Sequence, residues 1–169
     1  PTYTSSGAPT YEWSLPVGFP EPLVPQSNPM TAEKVALGDA LFHDSRLSSS
    51  EELSCASCHQ DDRHFTDGLT VSLGALGEPL EFNTPTLLNA AYSASFSWVD
   101  KGFLSLEEQH RGPLFNESPV ELGLSARQLK MLSADDRLVS LLIAAFPAAR
   151  AFSEETVIAS IASYARTLI

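Results

Sequence analysis

Five consecutive residues, Cys55-Ala-Ser-Cys58-His59, contain both cysteines of the chain and a histidine directly after the second one. This C-x-x-C-H spelling is the attachment motif of a c-type haem, in which two thiols add to the porphyrin vinyl groups and the next imidazole binds the iron. A disulfide framework cannot be built from this single pair. The motif therefore predicts one covalent haem c per chain, held by Cys55 and Cys58, with His59 as the proximal iron ligand.

Two other interpretations of a C-x-x-C pair fit this sequence less well. A thioredoxin-like redox pair follows a strand and starts a helix in a βαβ unit, whereas the surrounding sequence shows neither alternating strands nor crossover helices. A structural zinc site needs about four ligands, and one C-x-x-C pair with an adjacent histidine does not supply them. The C-x-x-C-H motif is therefore predicted to attach haem.

Length and charge limit the size and the partners of the molecule. The chain has 169 residues, which is enough for one ordinary globular domain. Its 10 Lys and Arg face 21 Asp and Glu, so the formal net charge is -11 at pH 7. A surface this acidic argues against binding nucleic acid or an anionic membrane. No apolar stretch approaches the roughly 20 residues of a membrane-spanning helix, so no membrane span is expected.

Haem c attachment also predicts a location. Attachment works on exported protein outside the bacterial inner membrane, so we expect a periplasmic or cell-surface protein. The first residues lack a basic head and an apolar middle, and we interpret a signal peptide as already removed. The chain stops at Ile169 inside an apolar helical pattern, which suggests a fragment or a nicked chain.

The sequence divides into a proline-rich arm and a helical domain. Residues 1–30 hold seven of the 12 prolines with large aromatic residues between them, which predicts an extended arm wrapped over the domain surface. Residues 31–169 form the predicted domain. Its first helix begins at Thr31 and ends near His43, the haem motif lies on a short helical segment, and residues 66–86 form a long loop rich in glycine and proline.

Local signals predict further helices in the second half of the chain. Two of these helices are predicted from capping boxes at their first residues. A third is predicted from an amphipathic stretch that ends at a proline, and a fourth from a serine followed by two glutamates. These predicted helices begin at Ser105, Ser125, Leu138 and Ser153.

Taken in order, these segments resemble the N-terminal haem domain of the bacterial di-haem cytochrome c peroxidase and MauG family. The resemblance extends over about residues 15–169. It implies an all-α, class I cytochrome c-like fold with long loops, and a peroxide-dependent haem oxidoreductase. The matching segments are residues 28–48, 53–59, 83–89, 105–109, 112–114, 121–123 and 161–168.

The resemblance also implies partners. The family has a second haem domain after a segment spelled like residues 166–168, where this chain stops, so that domain is absent here. The second haem then belongs to another chain or segment, or the protein works with one haem. Hydrogen peroxide is the implied substrate, and an electron-donor or substrate protein is the implied partner.

Several site residues follow from the same resemblance. Gln109 and Glu121 match the family's distal glutamine and glutamate, with Glu121 as the acid/base group, and Pro113 lies on the loop that shapes the distal pocket. The stretch between Gln109 and Glu121 is longer than in the family, so Glu117 competes for the acid/base role on geometric grounds. Trp98 matches the tryptophan that relays electrons between the two haems.

Asn83 matches a residue associated with calcium between the two haem domains, where an amide oxygen suits a hard cation. It is the candidate ligand for calcium as an additional cofactor. Phe82, the residue before it, stands where the family usually has an arginine.

The glycine-rich loop at residues 72–81 has no histidine, whereas many family members carry one there that blocks the iron until the enzyme is reduced. This departure resembles the MauG-like branch, in which the distal position is open. His64, His110 and Met131 remain alternative distal ligands. Three functions therefore stay open: a peroxidase that oxidises a redox partner, a MauG-like enzyme that oxidises Trp or Tyr on a partner protein, and a mono-haem electron-transfer cytochrome.

Overall fold

Helices supply the regular structure of the residues that this computed structural model describes, which are 11–96 and 102–169. In those two ranges the backbone forms no β-strand longer than an isolated bridge, so the predicted all-α class is confirmed. The α-helices are α1 (Ala32–Phe42), α2 (Cys55–Cys58), α3 (Leu106–Gln109), α4 (Arg111–Phe115), α5 (Ala126–Leu132), α6 (Asp136–Ala145) and α7 (Glu154–Ala165). Short 3₁₀ helices span Ser45–Leu47, Asp61–Arg63 and Ala90–Tyr92.

Side-chain caps explain where the helices begin. The hydroxyl of Thr31 accepts a hydrogen bond from the backbone N–H of Lys34 at 3.2 Å, which satisfies one of the free donors in the first turn of α1. His43 caps the other end of α1, so this predicted helix is confirmed with its bounds. Further caps in which a side chain accepts from the first turn are Ser105, Ser125, Asp135 and Ser153.

The helix predicted to start at Ser105 does start there, and it is short and directly followed by a second helix. α3 ends at Gln109, and His110 joins it to α4. Pro113 causes the break, because it has no N–H to donate to the carbonyl of Gln109 and its ring would collide with that carbonyl. Within the first turn of α4 the same proline is tolerated.

The helix predicted from the amphipathic stretch before Pro147 begins earlier than its apolar pattern indicates. The prediction placed its start at Leu138, whereas α6 begins at Asp136. The carboxylate of Asp135 accepts hydrogen bonds from the N–H groups of Arg137 and Leu138 at 3.0 and 3.1 Å, so the helix is nucleated by this cap and not by its first leucine.

α1 packs against α6 and α7, and their facing apolar side chains form the centre of the main core. α1 and α7 approach closely at Gly38, because a Cβ at this position would lie 2.8 Å from the Cβ of Tyr164 and would overlap the carbonyl of Ser160. Only glycine permits this crossing. Fully buried members of the core are Leu37, Leu41, Leu132, Leu142, Val157 and Ile161.

A buried polar network joins the segment before α1 to three helices. Asn28 donates to the carboxylate of Glu107 at 2.8 Å and to the carbonyl of Ala159 at 2.9 Å. The Lys34 ammonium donates to the amide oxygen of Asn28 at 3.0 Å. The guanidinium of Arg166, at the end of α7, contacts the same Glu107 carboxylate. The boundary of the arm at residue 30 stays a prediction, and residues 1–10 of that arm lie outside the described residues.

The predicted long loop at residues 66–86 is confirmed, and it folds back on itself. Leu80 donates to the carbonyl of Ser72 at 2.8 Å, and Gly74 donates to the carbonyl of Glu78 at 2.9 Å. At its tip, the N–H of Ala75 donates to the carbonyl of Glu121 at 2.8 Å. The loop therefore braces the segment that contains Glu121. Among the described helices, none is long and apolar enough to span a membrane.

Candidate functional site

The C-x-x-C-H motif forms a single helical turn. Ser57 accepts a hydrogen bond from the backbone N–H of Ser54 at 2.9 Å, and His59 donates its N–H to the carbonyl of Cys55 at 2.8 Å, so both ends of α2 are fixed. Residues three apart lie on one side of a helix, which places both thiols on the same face. Neither Cys55 nor Cys58 is in a disulfide.

The imidazole of His59 is oriented by the backbone. Its Nδ1 lies 3.0 Å from the carbonyl oxygen of Phe65. Because a carbonyl only accepts, this contact places the proton on Nδ1, and the carbonyl of Pro85 is a second backbone acceptor for the ring. Burial lowers the pKa of His59, so the ring is neutral, as a metal ligand must be. Phe65 and the preceding His64 both adopt left-handed backbone conformations, with φ of 59° and 55°, and this turn directs the carbonyl at His59.

The two thiols are held in their protonated form. Burial raises the pKa of Cys55 to about 12. The pKa of Cys58 is also raised, first by burial and then by the negative charges of Asp67 and Glu121. These are paired thiols on one helical face beside a neutral imidazole, so the donor set fits a covalent haem c.

Gln109 has a buried side-chain oxygen, Oε1, that has no hydrogen-bond partner among the described residues. Buried carbonyl oxygens are nearly always satisfied in folded proteins. This oxygen is available to accept a hydrogen bond from a bound polar group, and the distal role of Gln109 stays a prediction.

Glu121 lies close to the haem motif. Its charge acts on the thiols of both Cys55 and Cys58, and burial raises its own pKa. The backbone holds the segment in place, because the N–H of Leu122 donates to the carbonyl of Pro113 at 3.0 Å. Glu117 is exposed. The geometry therefore supports Glu121 over Glu117 as the acid/base candidate.

The alternative distal ligands differ in their positions. His110 is partly buried, and its Nδ1 lies 2.6 Å from the carbonyl of Leu106. Burial lowers the pKa of His110, and His59 is near enough to lower it further. His64 is exposed, and Met131 lies on α5. His110 is therefore the alternative whose imidazole is shielded from solvent and acted on by His59.

Asn83 and Trp98 stay predictions. Asn83 is exposed beside the buried Thr84. No group of three or more His, Cys, Asp or Glu that could hold a metal occurs in residues 11–96 and 102–169, and calcium at Asn83 stays a prediction. Trp98 lies outside the described residues.

Sequence reasoning missed Asp67. This residue is buried, and its carboxylate accepts from the N–H of Leu69 at 3.0 Å and from the hydroxyl of Thr84 at 3.2 Å. Ser72 joins the network through Thr84 at 2.7 Å. The negative charge of Asp67 acts on His59. No local pattern marks a loop aspartate as buried, so the sequence carried no signal for it.

The helices and the haem motif define a cytochrome c-like domain. The model of the family described as di-haem cytochrome c peroxidase matches residues 32–169, and the chain therefore belongs to that family. Membership of this family implies haem c as a cofactor.

Relatives and solved structures agree with this assignment. MauG of Methylorubrum extorquens is 40% identical over 146 residues, which are 86% of this chain and 40% of that protein. The cytochrome c peroxidase Ccp of Escherichia coli is 34% identical over 148 residues, which are 86% of this chain and 31% of that protein. The chain thus spans less than half the length of these relatives.

Among solved structures, a MauG-like protein associated with microbial copper homeostasis superposes with a TM-score of 0.89 and 38% identity. The match covers 94% of this chain and 47% of that one. The di-haem peroxidase BthA of Burkholderia thailandensis gives a TM-score of 0.65 at 25% identity, covering 82% of this chain and 39% of that one. The predicted cytochrome c-like fold is therefore confirmed.

Proposed function

We propose that this domain binds one haem c through Cys55 and Cys58, with His59 as proximal ligand, and that it is part of an oxidoreductase that cleaves hydrogen peroxide and oxidises a redox partner protein. The observation that carries the proposal is the meeting of two separate elements: the C-x-x-C-H turn and the partly buried carboxyl of Glu121. A raised pKa lets this carboxyl hold and release a proton close to the haem.

A haem held by Cys55, Cys58 and His59 would supply the iron centre at which peroxide reacts and would store its oxidising equivalents. Glu121 takes the proton from one peroxide oxygen and returns it to the leaving oxygen. Gln109 accepts a hydrogen bond from a peroxide O–H through its otherwise unpartnered Oε1. Pro113 fixes the Glu121 segment through its carbonyl, and the glycine-rich loop braces that segment from the other side.

MauG-like oxidation of Trp or Tyr on a partner protein is the second candidate function. One observation favours it: the loop at residues 72–81, which lies against Glu121, offers no imidazole that could close the distal position. The identity of 40% with a MauG protein points the same way. Both candidates use peroxide at the same iron, and they differ in the group that is finally oxidised.

The proposal includes partners and location. The net charge of -11 favours a redox partner that presents a basic face. A second haem-bearing chain or segment completes the length that the relatives have. Haem c attachment requires export, so we place the protein in the periplasm or at the cell surface. Calcium bound at Asn83 is a further part of the proposal.

The test is the absorption spectrum of the ferric haem-loaded protein before and after one equivalent of peroxide, without reductant. We expect a high-spin spectrum that changes rapidly on peroxide addition. A low-spin spectrum that is indifferent to peroxide would instead mean a closed iron and would favour the mono-haem electron-transfer cytochrome. In that case His110→Ala should open the iron if His110 is the second ligand, with His64→Ala as the matched control.

A further inference from the structure

An aromatic cluster connects the haem motif to the protein surface. The buried ring of Phe42, at the end of α1, has its centroid 6.3 Å from that of His59 and 5.1 Å from that of Tyr164. Tyr164 is partly exposed. The ring of His43 lies 5.3 Å from Phe42 and 6.3 Å from Tyr164, and 55% of its side chain is exposed. The four rings therefore form one path from the proximal imidazole to solvent.

The fold fixes this path rigidly. Tyr164 lies on α7 at the point where Gly38 lets α1 approach, so its Cβ is held against the backbone of α1. Phe42 belongs to the main core, and Tyr164 packs against that core. Apart from the proximal ligand His59, no residue of this path has a part in the proposed peroxide cleavage, so the mechanism leaves Phe42, Tyr164 and His43 without a task.

We propose that Tyr164 is a one-electron relay between the haem bound at His59 and the surface at His43. This inference rests on the proposed peroxidase function, which supplies the oxidant. Phenylalanine is hard to oxidise, so Phe42 serves only as the bridging contact. Tyrosine is the ring on the path that can give up an electron and later take one back.

The Tyr164 phenol gives one electron to the peroxide-oxidised haem and releases its O–H proton to water, which leaves a neutral tyrosyl radical. A one-electron donor at the surface then reduces this radical, and water returns the proton. Burial, with the charges of Asp39 and Asp61, raises the pKa of Tyr164. The phenol therefore carries its proton at neutral pH, and the proton must leave together with the electron.

The outer end of the path opens onto a hollow where a donor can approach. This hollow has a volume of about 470 Å³ and is open to solvent. His43 lines it together with Asp39, Asp44 and Arg137. Asp44 is paired with Arg46 and Asp39 contacts His43, so the hollow carries little net charge and suits a small one-electron reductant.

The experiment uses the haem-loaded protein produced with ring-deuterated tyrosine, mixed with peroxide without reductant, frozen within milliseconds and measured by electron paramagnetic resonance. Tyr164→Phe removes the phenol and keeps the ring that packs against Phe42. Tyr92→Phe is the matched control, because the Tyr92 hydroxyl donates to the carbonyl of Pro20 and its ring contacts Phe19, away from the path.

We expect a radical signal that narrows on deuteration in the wild type and in Tyr92→Phe, and that falls at least tenfold in Tyr164→Phe. An unchanged signal in Tyr164→Phe, or no tyrosyl signal while peroxide is consumed, would overturn the relay and leave the proposed function standing. Peroxide consumption is measured on the same samples. If the wild type consumes none, the proposed function fails and the relay fails with it.

Discussion

The guanidinium of Arg166 donates two hydrogen bonds from Nη2 to the carboxylate of Glu107, at 2.8 and 3.0 Å. Arg166 is buried at 2% exposure, and Asn28 donates to the same carboxylate. Lys34 adds a second buried cation next to Asn28. One carboxylate thus balances two positive charges at the point where α1, α3, α7 and the segment before α1 meet.

Replacing Glu107 by Gln should destabilise the fold strongly. The neutral amide leaves Arg166 and Lys34 without a counter-charge in a buried site, and breaking a buried pair in this way costs about 3–5 kcal/mol. Urea unfolding of the haem-loaded protein measures the loss. Glu154→Gln is the control, since its contact with Arg111 at 3.9 Å is half exposed and is worth at most about 1 kcal/mol. An equal loss of unfolding free energy in the two variants would contradict the role of Glu107 as the buried counter-charge.

The stability of the fold should depend on pH through the carboxylate of Glu107. Burial opposes ionisation of Glu107, but the charge of Arg166 and hydrogen bonds from Asn28 and Arg166 outweigh it and hold the pKa below its ordinary value of 4.5. A depressed pKa in the folded state stabilises the protein above the unfolded pKa, and this contribution is lost as the pH falls through the folded pKa. The unfolding free energies of wild type and Glu107→Gln should therefore converge as the solution is acidified below about pH 4.5. A constant difference down to about pH 2 would speak against the carboxylate as the source.

Glu121→Gln should slow peroxide cleavage by about two to four orders of magnitude, because the amide cannot accept and return the proton. Stopped-flow absorption of the ferric protein mixed with peroxide measures the rate. Glu117→Gln serves as the control, since Glu117 is exposed and should leave the rate unchanged. If Glu117→Gln slowed peroxide cleavage and Glu121→Gln did not, the acid/base role would belong to Glu117.

Asp67→Asn should make the haem easier to reduce. Burial alone would raise the pKa of Asp67, but hydrogen bonds from Ser72, the Leu69 N–H and Thr84 lower it more. The carboxylate is therefore charged, and its charge acts on His59. A fixed negative charge stabilises ferric over ferrous iron. We expect the ferrous-to-ferric ratio at a fixed potential to rise about tenfold, which is a shift of about +59 mV for one electron. Potentiometric titration measures it.

Glu81→Gln is the control for the Asp67 variant. Glu81 belongs to the same loop, but its side chain is exposed to water, which screens its charge. The midpoint potential of the haem in Glu81→Gln should equal that in the wild type. If both substitutions shift the potential alike, the effect is one of total charge and not of the position of Asp67.

Local features of the sequence predicted much of the fold. Thr31 and Ser153 mark real helix starts, because a cap acts within one turn and leaves a local pattern. Pro113 carried a local signal for the break between α3 and α4. Of the capping box predicted at Ser105 only one half forms, because the Glu108 carboxylate accepts from the N–H of Leu104 instead of that of Ser105. The haem motif is local as well, since one helical turn brings its three groups together.

Contacts between distant segments could not be predicted in this way. Asp67 meets Thr84 through the folding back of a loop, and Asn28 meets Glu107 only after α3 and α7 have packed. Neither pair has a repeating spacing that a single sequence displays. The resemblance placed Gln109 and Glu121, but it offered no sign that Oε1 of Gln109 is buried without a partner.

The crossing of α1 and α7 at Gly38 has a consequence for biosynthesis. These two helices flank the haem motif in the chain, and closing so long an intervening segment carries an entropic cost that slows folding. The main core cannot form until α7 has packed against α1. Until then Cys55 and Cys58 remain on an open chain, so the thiols are accessible to the machinery that attaches haem before the folded core can shield them.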